Sequence, residues 1–150
     1  LADGGGKPLT ITRQEIVPPI EDGLIAKEGT AARGLLFPQP AIVEGASPRL
    51  LDKFTGPEWR LILDGRRIGA GEGEALAKSI DGILVRTVVP QGDDAADPEA
   101  LREKDGVLSG WFDRHSVIAA LVRPDHYVFG AARSVADLTE QLSELHRRLA

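Results

Sequence analysis

Proline decides most of what the first third of this chain can become. Seven of the ten prolines (Pro8, Pro18, Pro19, Pro38, Pro40, Pro48, Pro57) fall within residues 1–60, together with eight of the seventeen glycines. A proline lacks the amide donor and fixes φ, so this density excludes long helices and central strands and predicts a mostly extended segment. The segment is not linker-like, because Leu9, Ile11, Ile16, Val17, Ile20, Leu24, Ile25, Leu35, Leu36, Phe37, Ile42 and Val43 recur through it. It is expected to lie along a surface, its own domain's or a neighbour's. The composition shifts near residue 57, which predicts an extended arm over residues 1–56 and a compact unit over residues 57–150.

The compact part has the punctuation of an α/β unit. Residues 59–63 (WRLIL) form an apolar run closed by Asp64-Gly65 and predict a buried strand. Residues 72–80 (EGEALAKSI) have helical spacing and stop at Asp81-Gly82. Residues 83–89 (ILVRTVV) are β-branched and predict a second strand before Pro90. The acidic stretch 91–105 reads as a solvated spacer, with a helical turn after Pro98. Val107, Leu108, Trp111 and Phe112 mark one face of an amphipathic helix over 107–115.

Residues 116–122 (SVIAALV) and 127–131 (YVFGA) flank Arg123-Pro124-Asp125-His126, in which proline presets one turn dihedral and aspartate can bond the local backbone. That predicts a β-hairpin. Val135, Leu138, Leu142, Leu145 and Leu149 then form the stripe of a terminal helix, with Ser134 as its cap and Asp137 at the capping-box position. The order β-α-β-α-β-β-α admits few topologies, because a β-α-β crossover is right-handed and makes its two strands parallel. The expected fold is α/β and thioredoxin-like: a four-stranded mixed sheet with helices on both faces, preceded by the extended Pro/Gly-rich arm.

The reactive cysteines of such a fold would lie between the first strand and the first helix. This chain has no cysteine, so dithiol chemistry, thiolate metal sites and disulfides are excluded. A net charge of −5 offers no electrostatic reason to expect nucleic acid. No apolar run approaches the ~20 residues needed to cross a bilayer, and Leu1 to Gly6 lack the features of a signal peptide, so the reading is a cytoplasmic protein without membrane contact. The absence of methionine, position 1 included, predicts a fragment or processed product of a longer protein.

No constellation of side chains points to catalysis, cofactor binding or metal binding. Gly69, Gly71 and Gly73 follow a strand, but Glu72 and Glu74 put negative charge where a phosphate would sit, so a flexible turn is expected. His115, His126 and His146 fall on three different elements without metal-ligand spacing. Asp113-Arg114-His115-Ser116 holds the residue types of a relay, but successive helical residues point in different directions. Acids between Asp93 and Glu103 lack an aromatic neighbour for sugar binding and read as a solvated run. Trp59, Trp111, Phe112, Tyr127 and Phe129 are expected in the core, and Arg123 and Asp125 are expected to pair or to cap a strand.

Several motifs carry a family resemblance. Residues 108–132 (LSGWFDRHSVIAALVRPDHYVFGAA) place Trp111, Phe112 and His115 before a hydrophobic strand and the turn Arg123-Pro124-Asp125. Upstream stand GLLFPQP (34–40), RLLDKFTGPEWRLIL (49–63) and RQEIVPPI (13–20). In this order they resemble the end of the FAD-dependent aromatic-ring hydroxylases, particularly the 3-(3-hydroxyphenyl)propionate hydroxylase type. Trp59 and Lys53 depart from the pattern, and the family's Gly-x-Gly-x-x-Gly and Gly-Asp flavin signatures have no match.

The resemblance therefore implies a C-terminal thioredoxin-like domain without catalytic residues, which supports structure or subunit association. FAD, NAD(P)H and the phenolic substrate would belong to the parent enzyme, and none of them to this chain. Its partners would be the upstream FAD and substrate domains or a second subunit, a homodimer included. A freestanding module binding a small hydrophobic ligand or peptide is the alternative, and an enzyme in its own right is the least supported reading.

Overall fold

A computed structural model of the chain describes residues 25–26, 32–43, 47–78, 80, 82–93 and 97–149. The stretches at 1–6 and 13–20 and residue Ser79 of the expected first helix lie outside the described residues. The elements are β1 (Ala41–Ile42), β2 (Arg49–Leu50), α1 (Asp52–Thr55), β3 (Arg60–Asp64), α2 (Ala70–Ala77), β4 (Leu84–Pro90), β5 (Leu101–Glu103), α3 (Val107–His115), β6 (Ala119–Val122), β7 (Val128–Ala132) and α4 (Val135–Leu149). One sheet holds all the strands in the order β2-β1-β5-β4-β3-β6-β7.

Its centre is the expected thioredoxin-like unit. β3 and β4 run parallel around the α2 crossover, with Arg60 opposite Leu84 and Asp64 opposite Val88. β6 lies antiparallel to β3, and β7 closes the hairpin. The period of two along β3 then sorts the core. Leu61 and Leu63 pack with Leu138, Leu142 and Leu145 of α4 on one face, while Ile62 packs with Leu108, Trp111 and Phe112 of α3 on the other.

The sheet is wider than the four strands expected. β5 pairs in parallel with β4, and β1 and β2 continue the sheet antiparallel beyond it. These added strands have two or three residues each, too short to leave a periodic signature, and their ladders rest on backbone groups that every sequence has. The acidic stretch is accordingly not a solvated spacer throughout. Glu103 of β5 is buried, and its carboxylate accepts hydrogen bonds from the Leu108 and Ser109 amides at 2.7 Å each and from the Ser109 hydroxyl at 2.5 Å. It satisfies the open N-terminus of α3, whose N-cap position is Gly106 and has no side chain to offer.

The described part of the arm lies along its own domain. The Ala26 amide donates to Phe129 O, Gly34 N–H to Val128 O, Val128 N–H to Leu35 O and Phe37 N–H to His126 O, each at 2.8 Å. The segment thus runs beside β7, crosses the α3 face with Ala32 and Phe37 in the core, and delivers Ile42 and Leu51 to the same cluster.

Smaller differences have local causes. Gly69 caps α2, and Gly71 and Gly73 lie inside it instead of in a flexible turn. A Cβ on Gly73 would stand 2.3 Å from Leu63 Cδ1, so this glycine lets the helix sit close upon β3. Val107 and Leu149, expected on apolar faces, are exposed at the ends of their helices. Ser134 Oγ accepts from the Asp137 amide at 3.2 Å, but the Asp137 carboxylate reaches the Arg133 amide at 3.1 Å, one residue earlier than a capping box requires.

Candidate functional site

The end of β3 and the loop that follows are where the thioredoxin-like arrangement would carry its reactive pair. Here the position holds charge. Asp64 closes β3 and is 1% exposed. Its Oδ1 accepts from the Arg66 amide at 3.1 Å and Arg66 Nε at 3.0 Å, and its Oδ2 accepts from Arg66 Nη2 at 2.9 Å and Arg67 Nη1 at 2.6 Å. Both arginines then reach across to α3. Asp113 Oδ1 accepts from Arg66 Nη2 at 2.9 Å and from Arg67 Nη2 at 2.5 Å, and Arg66 Nη2 also meets Ser109 O at 3.2 Å.

Two guanidiniums and two carboxylates therefore tie the β3–α2 turn to helix α3. The hydrogen bonds with Asp64 and Asp113 hold the Arg66 and Arg67 guanidiniums still more firmly protonated than usual. The same contacts keep the Asp113 carboxyl below the ordinary carboxylate range. The four side chains thus form a charged fastening between the β3–α2 turn and α3.

Beside it lies a recess of ≈ 450 Å³ lined by Arg67, Asp113, Ser116, Val117, Ile118 and Arg133. Of the residues that resemble a relay, Asp113 turns to the arginines, whereas the His115 ring lies 4.7 Å from that of Trp111. Burial, and then the Arg114 charge, lower the His115 pKa. Among the described residues no three His, Asp or Glu side chains are grouped to hold a metal ion. His126 and His146 sit in the hairpin turn and the last turn of α4, as their sequence positions predict. Trp111, Phe112 and Phe129 are core residues; Trp59 is half-buried, with its ring edge-on to Phe129 at 5.8 Å. Arg123 and Asp125 pair at 2.5 Å.

The opposite end of β3 holds the charge that sequence reading missed. Arg60 is fully buried. Its Nη1 donates to Glu58 O at 2.8 Å and Gly56 O at 3.2 Å, and its Nη2 donates to His126 Nδ1. Burial lowers its pKa, while the charges of Asp52 and Asp125 act the other way. Only part of this is local: Asp64 bonds Arg66 and Arg67 two and three residues on, whereas Arg66 and Asp113 are separated by 47 residues and Arg60 and His126 by 66.

Comparison with known proteins places this geometry. The model of the family described as HcaD C-terminal domain matches residues 34–148. The probable NADH-specific resorcinol 4-hydroxylase of Rhodococcus jostii (strain RHA1) is 32% identical over 128 residues, covering 85% of this chain and 23% of that protein. Two solved structures have the same fold. The flavin-dependent monooxygenase PieE gives a TM-score of 0.55 at 17% identity, over 96% of this chain and 24% of its own. CabE, an aromatic hydroxylase from angucycline biosynthesis, gives 0.54 at 19% identity, over 85% and 23%. The chain thus spans about a quarter of the length of these relatives.

Proposed function

The chain belongs to the HcaD C-terminal domain family, and on that premise we propose that it is the non-catalytic structural and association domain of a flavoprotein aromatic-ring monooxygenase. The observation that carries the reading is the replacement of a redox site by a fastening. Where a thioredoxin-like fold would present thiols, Asp64, Arg66, Arg67 and Asp113 bond the β3–α2 turn to α3. Strength is supplied at the position where the fold's reactivity would otherwise reside.

In the parent enzyme, FAD and NAD(P)H would support insertion of one oxygen atom into a phenolic ring. That chemistry belongs to the upstream domains. The described residues do not fit a flavin: Gly71 and Gly73 lie within a helix, alternating with Glu72 and Glu74, and the arginines nearest the loop already bond carboxylates. Its partners are the upstream FAD and substrate domains, or a second copy of the protein. A cytoplasmic setting accords with a chain that has no cysteine and, among its described residues, no helix long and apolar enough to cross a membrane.

Titration of the purified chain with FAD, followed by flavin fluorescence, tests the reading. No saturable quenching is expected, and stoichiometric tight binding would overturn it. In the parent enzyme, deletion of the segment equivalent to residues 34–148 is expected to lower the thermal midpoint or the subunit association while leaving flavin absorbance in the remaining part.

A further inference from the structure

We infer that the recess beside the β3–α2 turn is a binding site for a small organic monocarboxylate, held by Arg133, Arg67 and Ser116 with Val117 and Ile118 as its apolar wall. Its volume of ≈ 450 Å³ is in the range of pockets that take small molecules. Three parts of the fold build it. The β3–α2 turn supplies Arg67, the end of α3 and its link to β6 supply Asp113, Ser116, Val117 and Ile118, and the junction of β7 with α4 supplies Arg133.

These walls carry more hydrogen-bond donors than they use. A guanidinium has donors only. Arg133 bonds Asp137 through Nε at 3.1 Å, and its two terminal amino groups have no acceptor among the described residues. Arg67 gives one hydrogen of Nη1 to Asp64 and one of Nη2 to Asp113, so its Nε and a second hydrogen on each terminal nitrogen are left over. The Ser116 hydroxyl is exposed and bonds nothing among the described residues. Ser116 stands at φ 56° in the left-handed C-cap of α3, a place that glycine fills at least cost, yet it carries a side chain. The backbone amides along this wall are already spent: Ser116 on Asp113 O at 3.2 Å, Val117 on Phe112 O at 3.0 Å and Ile118 on Ala132 O at 2.8 Å. The open donors are side chains, and what they lack is an acceptor.

The neighbours narrow which acceptor fits. Asp113 lines the same recess with its carboxylate paired to Arg66 and Arg67, so a doubly charged anion such as phosphate meets a fixed like charge. A carboxylate brings a single negative charge in the planar geometry that a guanidinium fork matches. Val117 and Ile118 offer no polar side-chain atom and receive the apolar body to which the carboxylate is attached. Arg67 is already fixed by two carboxylates, so little of its rotamer freedom is left to lose on binding. Arg133, whose side chain is 59% exposed, is the member that turns to the ligand. Such a site adds ligand recognition to the association role and does not depend on it.

The test is a titration of the nitrogen-15-labelled 150-residue chain with sodium benzoate, benzyl alcohol and inorganic phosphate at neutral pH and constant ionic strength, followed by amide and arginine Nε shifts. Benzoate is expected to give saturable shifts at Ser116, Ile118 and Arg133, with benzyl alcohol and phosphate each weaker by about tenfold or more. Arg133→Gln is expected to weaken benzoate by about tenfold, the loss of one charge-assisted hydrogen bond. Ser116→Gly keeps the left-handed cap without its steric cost, so its thermal midpoint should equal or exceed that of the wild type, while benzoate weakens by about fivefold. A weaker affinity in a variant that is no less stable does not come from unfolding. Unchanged affinity in either variant, shifts that fail to saturate, phosphate binding as tightly as benzoate, or saturable shifts confined to residues outside the recess would each overturn the proposal.

Discussion

Strand β3 buries a cation at its first residue and an anion at its last, and the two ends solve the same problem differently. Asp64 is met by two arginines whose side chains are 26% and 40% exposed. Arg60 is met by two carbonyls and an imidazole, with its counter-charges at a distance. Fixed dipoles and counter-ions both compensate a buried charge, but they fail differently. Removing the anion leaves arginines that water can reach. Removing the cation leaves carbonyls, a ring nitrogen and a buried carboxylate atom, Asp52 Oδ1, that already lacks a hydrogen-bond partner among the described residues.

The largest effect is therefore expected at the cation end. Arg60→Ala should destabilise the chain by about 3–5 kcal/mol, read from the urea unfolding midpoint, because it combines a buried void with unpaired polar groups. Asp64→Ala should cost less, about 1.5–3 kcal/mol in the same assay, since Arg66 and Arg67 turn outward and hydrate. An Asp64 variant less stable than the Arg60 variant would break the comparison.

Asp113→Asn should have the smallest effect, because its carboxylate stands in water and the link is screened. The difference from wild type should shrink further in high salt. The sign of its pH dependence sharpens the contrast. The folded carboxyl titrates below its unfolded value of roughly 3.9, so its contribution is complete above that value and is lost as the pH falls through the lower folded value. Melting curves of the wild type and Asp113→Asn should accordingly converge only in strong acid.

How much of this was legible depends on the length scale of each signal. β3, β4, β6 and β7 and helices α3 and α4 announce themselves because several side chains share one face at period two or 3.6. Residues 41–42, 49–50 and 101–103 hold too few residues to show a period, and pair because backbone groups beyond a strand edge must find partners. Glu103 sits in an acidic run that looks solvated, yet it serves amides five and six residues ahead. Its signal was available: an acid shortly before an apolar helix whose N-cap is glycine. Of the charged clusters at the two ends of β3, Asp64, Arg66 and Arg67 are neighbours in sequence, but Asp113 and the Arg60–His126 pair join only after the sheet has formed.

The proline-rich segment beside β7 has a consequence for assembly. By hydrogen bonding along Tyr127 to Phe129, it occupies the rim where a foreign polypeptide would otherwise insert itself by strand addition. This stretch of the β7 rim is thus paired within the chain, whereas Leu50 at the far margin of the sheet is exposed. The chain has closed one door to self-aggregation with its own leading sequence.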